Sequence, residues 1–115
     1  MKEEKFKIID FIRNLIIYID KELDNFPKKD IEIKKRIRNA SFDLLELSYQ
    51  ANNTSIKEKK IELVETIIAK LKTIDFLLNL SYEKEIISNK KYLKFGEKIN
   101  DITRYTVGWK NSIKF

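Results

Sequence analysis

The chain has 115 residues, about one domain's worth, with 43% hydrophobic and 37% charged side chains, enough for a single core under a well-solvated surface. Two Gly and one Pro are too few for the tight turns of a β-sandwich or barrel. With no Cys and no His, disulfides, thiolate and imidazole metal ligands, thiol nucleophiles and the commonest general base are excluded. The net charge of +6 is compatible with a polyanionic partner without establishing one.

The opening Met1-Lys2-Glu3-Glu4-Lys5 carries acids and leads into an apolar run broken by Asp10, Arg13 and Asn14. That pattern fits neither a secretory signal nor a membrane span of about 18 apolar residues, and we expect a cytoplasmic protein with no membrane contact. The first predicted helix covers about residues 3–25, with Ile9, Ile12, Ile16, Ile19 and Leu23 recurring by threes and fours. A second stripe, Ile8, Phe11, Leu15 and Tyr18, runs beside it. The Asn25-Phe26-Pro27 step ends this helix, because the residue before Pro is driven out of the helical region.

The second predicted helix, about 30–52, buries Ile33, Ile37, Ala40, Leu44, Leu47 and Ala51, and Asn52-Asn53-Thr54-Ser55 supplies a short polar turn. Ser55 with Glu58 reads as a capping box for a third helix, about 56–81, whose stripe is Val64, Ile67, Leu71, Ile74 and Leu78. Phe76, Leu77 and Leu80 widen its apolar arc, and the period lapses from Ser81 to Ile87. Ser88 caps a fourth helix, about 89–113, in which Tyr92, Phe95, Ile99, Ile102, Thr106, Trp109 and Ile113 form the most regular heptad of the chain. The expected fold is all-α: one antiparallel up-down-up-down four-helix bundle over residues 1–115. The doubled stripes of the first and third helices predict self-association, since apolar surface beyond one core needs a cover.

Bundles often hold two metals between Glu and Glu-x-x-His side chains, a set that cannot be assembled without His. Asp10, Asp43, Glu46, Glu62, Glu65 and Asp75 fall off the buried stripes and read as solvated or ion-paired. Ser and Thr have no imidazole partner, and the isolated Gly96 and Gly108 make no phosphate-cradling loop. We expect no catalytic, cofactor or metal site.

The basic residues are unevenly placed. Segments 1–26, 27–54, 55–87 and 88–115 carry −1, +2, 0 and +5. Lys28, Lys29, Lys34, Lys35, Arg36 and Arg38 open the second helix, and Lys90, Lys91, Lys94, Lys98 and Arg104 lie mostly off the heptad of the fourth. Such patches neutralise backbone phosphates, and an ordinary solvated lysine face is the competing reading. Among the aromatics of these segments Tyr92, Phe95 and Trp109 sit at core positions. Tyr105, beside Arg104, is the one candidate to stack on a base.

Phe26-Pro27-Lys28, Arg36-Ile37 with Leu44-Leu45-Glu46-Leu47 and Ala51-Asn52, the stretch Leu71 to Leu78, and Ile99, Ile102 and Gly108-Trp109 occur in an order that spans nearly the whole chain. In that order they resemble the four-helix-bundle family that includes the accessory variability determinant (Avd) of diversity-generating retroelements and proteins encoded in intervening sequences of ribosomal RNA genes. The resemblance implies a cytoplasmic, non-enzymatic homopentamer forming a basic barrel. In the retroelement setting it also implies binding to the element's reverse transcriptase and to nucleic acid, RNA or DNA, in support of mutagenic copying. It would place the basic surface on Lys28, Lys29, Arg36, Arg38, Lys94, Lys98 and Arg104, with Gly108-Trp109 structural. Lys34-Lys35 and Tyr105-Thr106-Val107 depart from the family pattern. The alternative is a structural or protein-interaction bundle of the intervening-sequence type, without a direct nucleic-acid role. A small helical ribonuclease is disfavoured by the lack of His.

Overall fold

The computed structural model describes residues 2–113, with side chains from Lys7 onward. Four helices follow one another: α1 (Lys2–Glu22), α2 (Ile31–Asn53), α3 (Lys57–Glu83) and α4 (Asn89–Ser112). A single 3-10 turn, Lys28–Asp30, leads into α2. Each helix packs against two others in the cyclic order α1, α2, α3, α4, and among the described residues no Cα atoms of a diagonal pair come within 8 Å. Short connections between neighbours make the bundle antiparallel. Its extents are 47 × 22 × 19 Å.

The connections show how local chemistry sets the ends. Leu23 still donates its N–H to the Ile19 carbonyl at 3.0 Å, after which the chain leaves α1 ahead of Pro27, as the pre-proline restriction requires. The Pro27 carbonyl then accepts the Asp30 N–H at 2.9 Å. Ser55 does not cap α3: the helix starts behind Ile56 with no side-chain cap, and the Thr54 hydroxyl accepts the Ile56 N–H at 3.2 Å. The hydroxyl one residue earlier turns the link instead, an ST-turn competing with the capping box. Ser88 does cap α4, its Oγ accepting the Lys91 N–H at 3.2 Å.

The lapse of period after Ser81 is a Schellman ending. Glu85 donates its N–H to the Tyr82 carbonyl and Ile86 to the Ser81 carbonyl, both at 2.9 Å. Glu85 has φ 61°, the left-handed conformation that Gly usually supplies at this position. Ile87, just beyond, turns inward and joins the core.

The core runs the length of the bundle. Ile12, Ile19, Ile37, Leu44, Ile67, Ile74, Phe95 and Ile102 are fully buried, and Trp109 lies among the largest buried side chains. Four hydroxyls are buried with them, each satisfied by its own helix. Ser41 donates to the Arg38 carbonyl, Ser48 to Leu44, Ser81 to Leu77 and Thr106 to Ile102, at 2.7 to 2.8 Å. They need no partner on another helix, so small side chains can line the α2 seam without leaving an unpaired polar atom.

The doubled stripe of α1 turns out to be covered within the protomer. Ile8 and Leu15 are buried, and Phe11 and Tyr18 pack against Tyr105 and Phe95 of α4. A helix flanked on both sides needs a buried arc wider than one stripe, so the extra width serves the second neighbour. Among the described residues of α1 the exposed large apolar side chain is Ile17, which belongs to neither stripe. On α3 the widened arc divides, with Leu77 buried and Phe76 62% exposed.

Two substitutions test this account by chemical denaturation. Glu85→Gly is expected to stabilise the protein by about 1 kcal/mol by removing the left-handed penalty of a side chain. Trp109→Ala is expected to cost about 3–5 kcal/mol as a large buried aromatic is replaced by a cavity.

Candidate nucleic-acid interface

An up-down-up-down bundle puts the α1–α2 and α3–α4 connections at the same end. The basic start of α2 and the basic start of α4, some 60 residues apart in sequence, therefore meet at one end of the molecule. Two contacts fix this arrangement. The Lys84 ammonium lies 3.2 Å from the carboxylate of Asp30, whose side chain is only 8% exposed, joining the end of α3 to the start of α2. The Lys91 ammonium lies 3.5 Å from the Glu22 carboxylate and donates to the Glu22 carbonyl at 3.4 Å, joining the start of α4 to the end of α1. A cation at the carbonyl end of a helix also complements its dipole.

The eleven cations singled out by sequence fall into three groups. Lys28, Lys29, Lys34, Lys35, Lys90 and Lys94 stand at or near the connection end with no carboxylate partner among the described residues, and all but the half-buried Lys34 are exposed. Lys98, two turns down α4, has its ammonium 4.9 Å over the Tyr18 ring, a cation–π contact that leaves its charge available at the surface. Arg36, Arg38, Lys91 and Arg104 are ion-paired. Arg36 pairs with Glu32 at 3.8 Å, Arg38 with Asp20 at 3.7 Å across α1 and α2, and Arg104 with Asp101 at 3.1 Å. The first of these is highly exposed on both sides and contributes little to stability.

Arg104 is not brought to this end. It lies nearly two turns beyond Lys98, where it and Lys7 flank the Tyr105 ring at 5.5 and 5.8 Å. Tyr105 is half-buried against Phe11, with ring centroids 5.3 Å apart, so part of one aromatic surface is already used. Tyr92 is structural: it stacks on Tyr82 at 4.7 Å and its hydroxyl accepts from the Asn79 amide at 2.9 Å.

Lys84 joins the connection end although sequence reasoning left it out. The signal was its place just before the α3–α4 link, which any up-down topology brings beside the α1–α2 link. The opposite end has a smaller basic group, Lys57, Lys59 and Lys60, interrupted by Glu58. The acids also find plain roles, with Asp43 bound to Lys70 at 3.1 Å and Glu65 to Lys110 at 3.0 Å. Chemically the connection end presents several exposed ammonium groups suited to contact with phosphates rather than with base edges. Among the described residues no helix is long and apolar enough to cross a membrane.

A family model described as bAvd-like matches residues 3–113, nearly the whole chain. No curated protein and no solved structure matches.

Tyr18, beneath the Lys98 ammonium, has a phenol raised above its usual 10.0, first by burial and then by the nearby Glu22 carboxylate. A folded pKa above the unfolded one means that its contribution to stability is complete below pH 10 and is lost as pH climbs through the raised value. Phenolate absorbance should therefore show a late-titrating tyrosine that is absent from Tyr18→Phe.

Proposed function

The chain belongs to the bAvd-like family, and on that premise we propose that it is a non-catalytic accessory protein of a diversity-generating retroelement. In this reading it assembles as a homopentamer. It holds template RNA or the copied DNA by its phosphates and binds the element's reverse transcriptase, supporting mutagenic cDNA synthesis in the cytoplasm. The observation that carries the nucleic-acid part is the convergence of Lys28, Lys29, Lys34, Lys35, Lys94 and Lys98 toward one end of the bundle without carboxylate partners among the described residues. Unpaired ammonium groups lose little on meeting a phosphate, and each phosphate they neutralise releases condensed counterions. Arg36, Arg38, Lys91 and Arg104 exchange a carboxylate for a phosphate when they take part, and they contribute less. Repetition of one modest patch around an oligomer raises the effective concentration of the remaining patches once the first has bound.

A second reading, a protein-interaction bundle without a nucleic-acid role, draws support from the same ion pairs: four of the eleven cations already have carboxylates. Charge reversal separates the two. With a labelled structured RNA, Lys94→Glu/Lys98→Glu is expected to weaken binding at least about tenfold and to lower the salt slope by about 0.7–0.9 for each phosphate no longer neutralised. Lys57→Glu/Lys59→Glu, at the opposite end, should stay near the wild type. Equal weakening in both variants would remove the connection end as the interface. Absence of RNA binding by the wild type at low salt would leave the protein-interaction reading, to be followed by capture of the reverse transcriptase.

A further inference from the structure

Three cation–π contacts line the α1/α4 seam. The Lys98 ammonium sits 4.9 Å over the Tyr18 ring, and two turns along α4 the Arg104 guanidinium and the Lys7 ammonium lie 5.5 and 5.8 Å from the centre of the Tyr105 ring. Phe11 packs against Tyr105 and the buried Phe95 against Tyr18, with ring centroids 5.3 and 4.8 Å apart. Lys94 precedes Lys98 by one turn, and Lys21, fourteen residues from Lys7, falls on the same side of α1. The acids nearest these cations are Asp10, exposed one turn from Lys7, and Asp101, paired with Arg104. Grooves at the other seams are balanced or acidic by comparison. They set Asp20 against Arg38, Glu32 and Asp43 against Arg36 and Lys70, and Asp75 and Glu97 against Lys72.

We propose that the α1/α4 seam is a track for a single-stranded polynucleotide, in which an unpaired base stacks on the layer formed by the Arg104 guanidinium over Tyr105 while Lys98 and Lys7 hold the flanking phosphates. The proposal rests on the nucleic-acid part of the function proposed above, and it adds the kind of strand and the point at which a base is held.

Arg104 suits the outer layer. Its side chain is 67% exposed, and the 3.1 Å bond to Asp101 engages an edge of the guanidinium, so the flat face stays open and the plane is already oriented. Tyr105 beneath it is held by Phe11, so neither layer has to be ordered when a base arrives. A base inside a duplex is covered on both faces by its neighbours and has no free face to offer. An unpaired base has one, whatever its identity, so the site takes strands with little regard to sequence. From Lys7 to Lys21 the seam runs about 21 Å at 1.5 Å per residue, room for several nucleotides. An acidic protein would satisfy the lysines but brings no planar group to the stacked layer.

The test compares three labelled probes at low salt: a short oligothymidylate, an abasic strand of the same length, which has the phosphates without the bases, and a duplex of that length. Wild type is expected to hold the oligothymidylate about fivefold or more tighter than the abasic strand, the advantage that a stacked base brings. Tyr105→Ala should abolish that advantage and weaken the oligothymidylate more than the duplex, whereas Tyr105→Phe should keep it. Circular dichroism checks that the half-buried position tolerates the change. Arg104→Lys, at an exposed position, keeps the charge and loses the plane, and it is expected to reduce the same advantage. Oligouridylate run in parallel assigns the strand to RNA or DNA by the tighter of the two. A wild type that holds the abasic strand as tightly as the oligothymidylate, or a folded Tyr105→Ala that keeps the advantage or weakens all three probes equally, would overturn the proposal and leave the phosphate-binding reading standing. A wild type that binds none of the probes would overturn both.

Discussion

Four aliphatic stripes meet along one axis, and the burial of those stripes is what the rest of the molecule depends on. Each helix has two flanking neighbours among the described residues, so its surface divides into a buried arc, two flanks and an outer arc. On α1 the flank toward α4 is aromatic, with Tyr18 against Phe95 and Phe11 against Tyr105. On α2 the buried arc alternates Leu44 with Ser41, Ser48 and Ala51, and the hydroxyls satisfy themselves within the helix. None of these buried hydroxyls demands a matching group on α3, so the packing of that buried arc is set by shape.

Electrostatics follows from this geometry rather than shaping it. Ion pairs bridge all four seams and the end of α3 to the start of α2: Arg38 to Asp20, Lys70 to Asp43, Lys110 to Glu65, Lys91 to Glu22 and Lys84 to Asp30. Most are exposed enough to contribute little. The Asp30 carboxylate is the exception, since removal of Lys84 would leave a nearly buried charge without its partner. At the connection end these pairs take up Asp20, Glu22 and Asp30, while Lys28, Lys29, Lys34, Lys35 and Lys94 have no carboxylate within salt-bridge distance among the described residues. A surplus of +6 spread over a molecule of this size is ordinary as a total. Its uneven placement, with Lys28, Lys29, Lys34, Lys35 and Lys94 toward one end, makes the field of that end directional.

Apolar side chains outside the core, Ile17, Phe42 and Leu93, lie along the sides of the bundle, and the lysines without carboxylate partners among the described residues lie toward an end. Phe76 stands apart from this scheme, on the α2/α3 seam beside Arg36 and Lys70.

The sequence by itself determined the helices and the core. Spacing by threes and fours marked Ile12, Ile19, Ile37, Leu44, Ile67, Ile74, Phe95 and Ile102, all of which are buried, because a helix brings such residues onto one side whatever surrounds it. Ser88 was legible as a cap for the same local reason, and the family resemblance rested on the order of local segments. What local pattern does not contain is the neighbour. It did not reveal that the second stripe of α1 faces α4, that Thr54 rather than Ser55 turns the α2–α3 link, or that Glu85 adopts the Gly-like ending of α3. The same holds for charge. Composition identified the basic segments, but only the antiparallel packing decided that the starts of α2 and α4 share an end, that Arg36, Arg38, Lys91 and Arg104 find carboxylates, and that Arg104 lies apart. Pairing of side chains depends on distances between helices, and those are set by how four stripes close around one core.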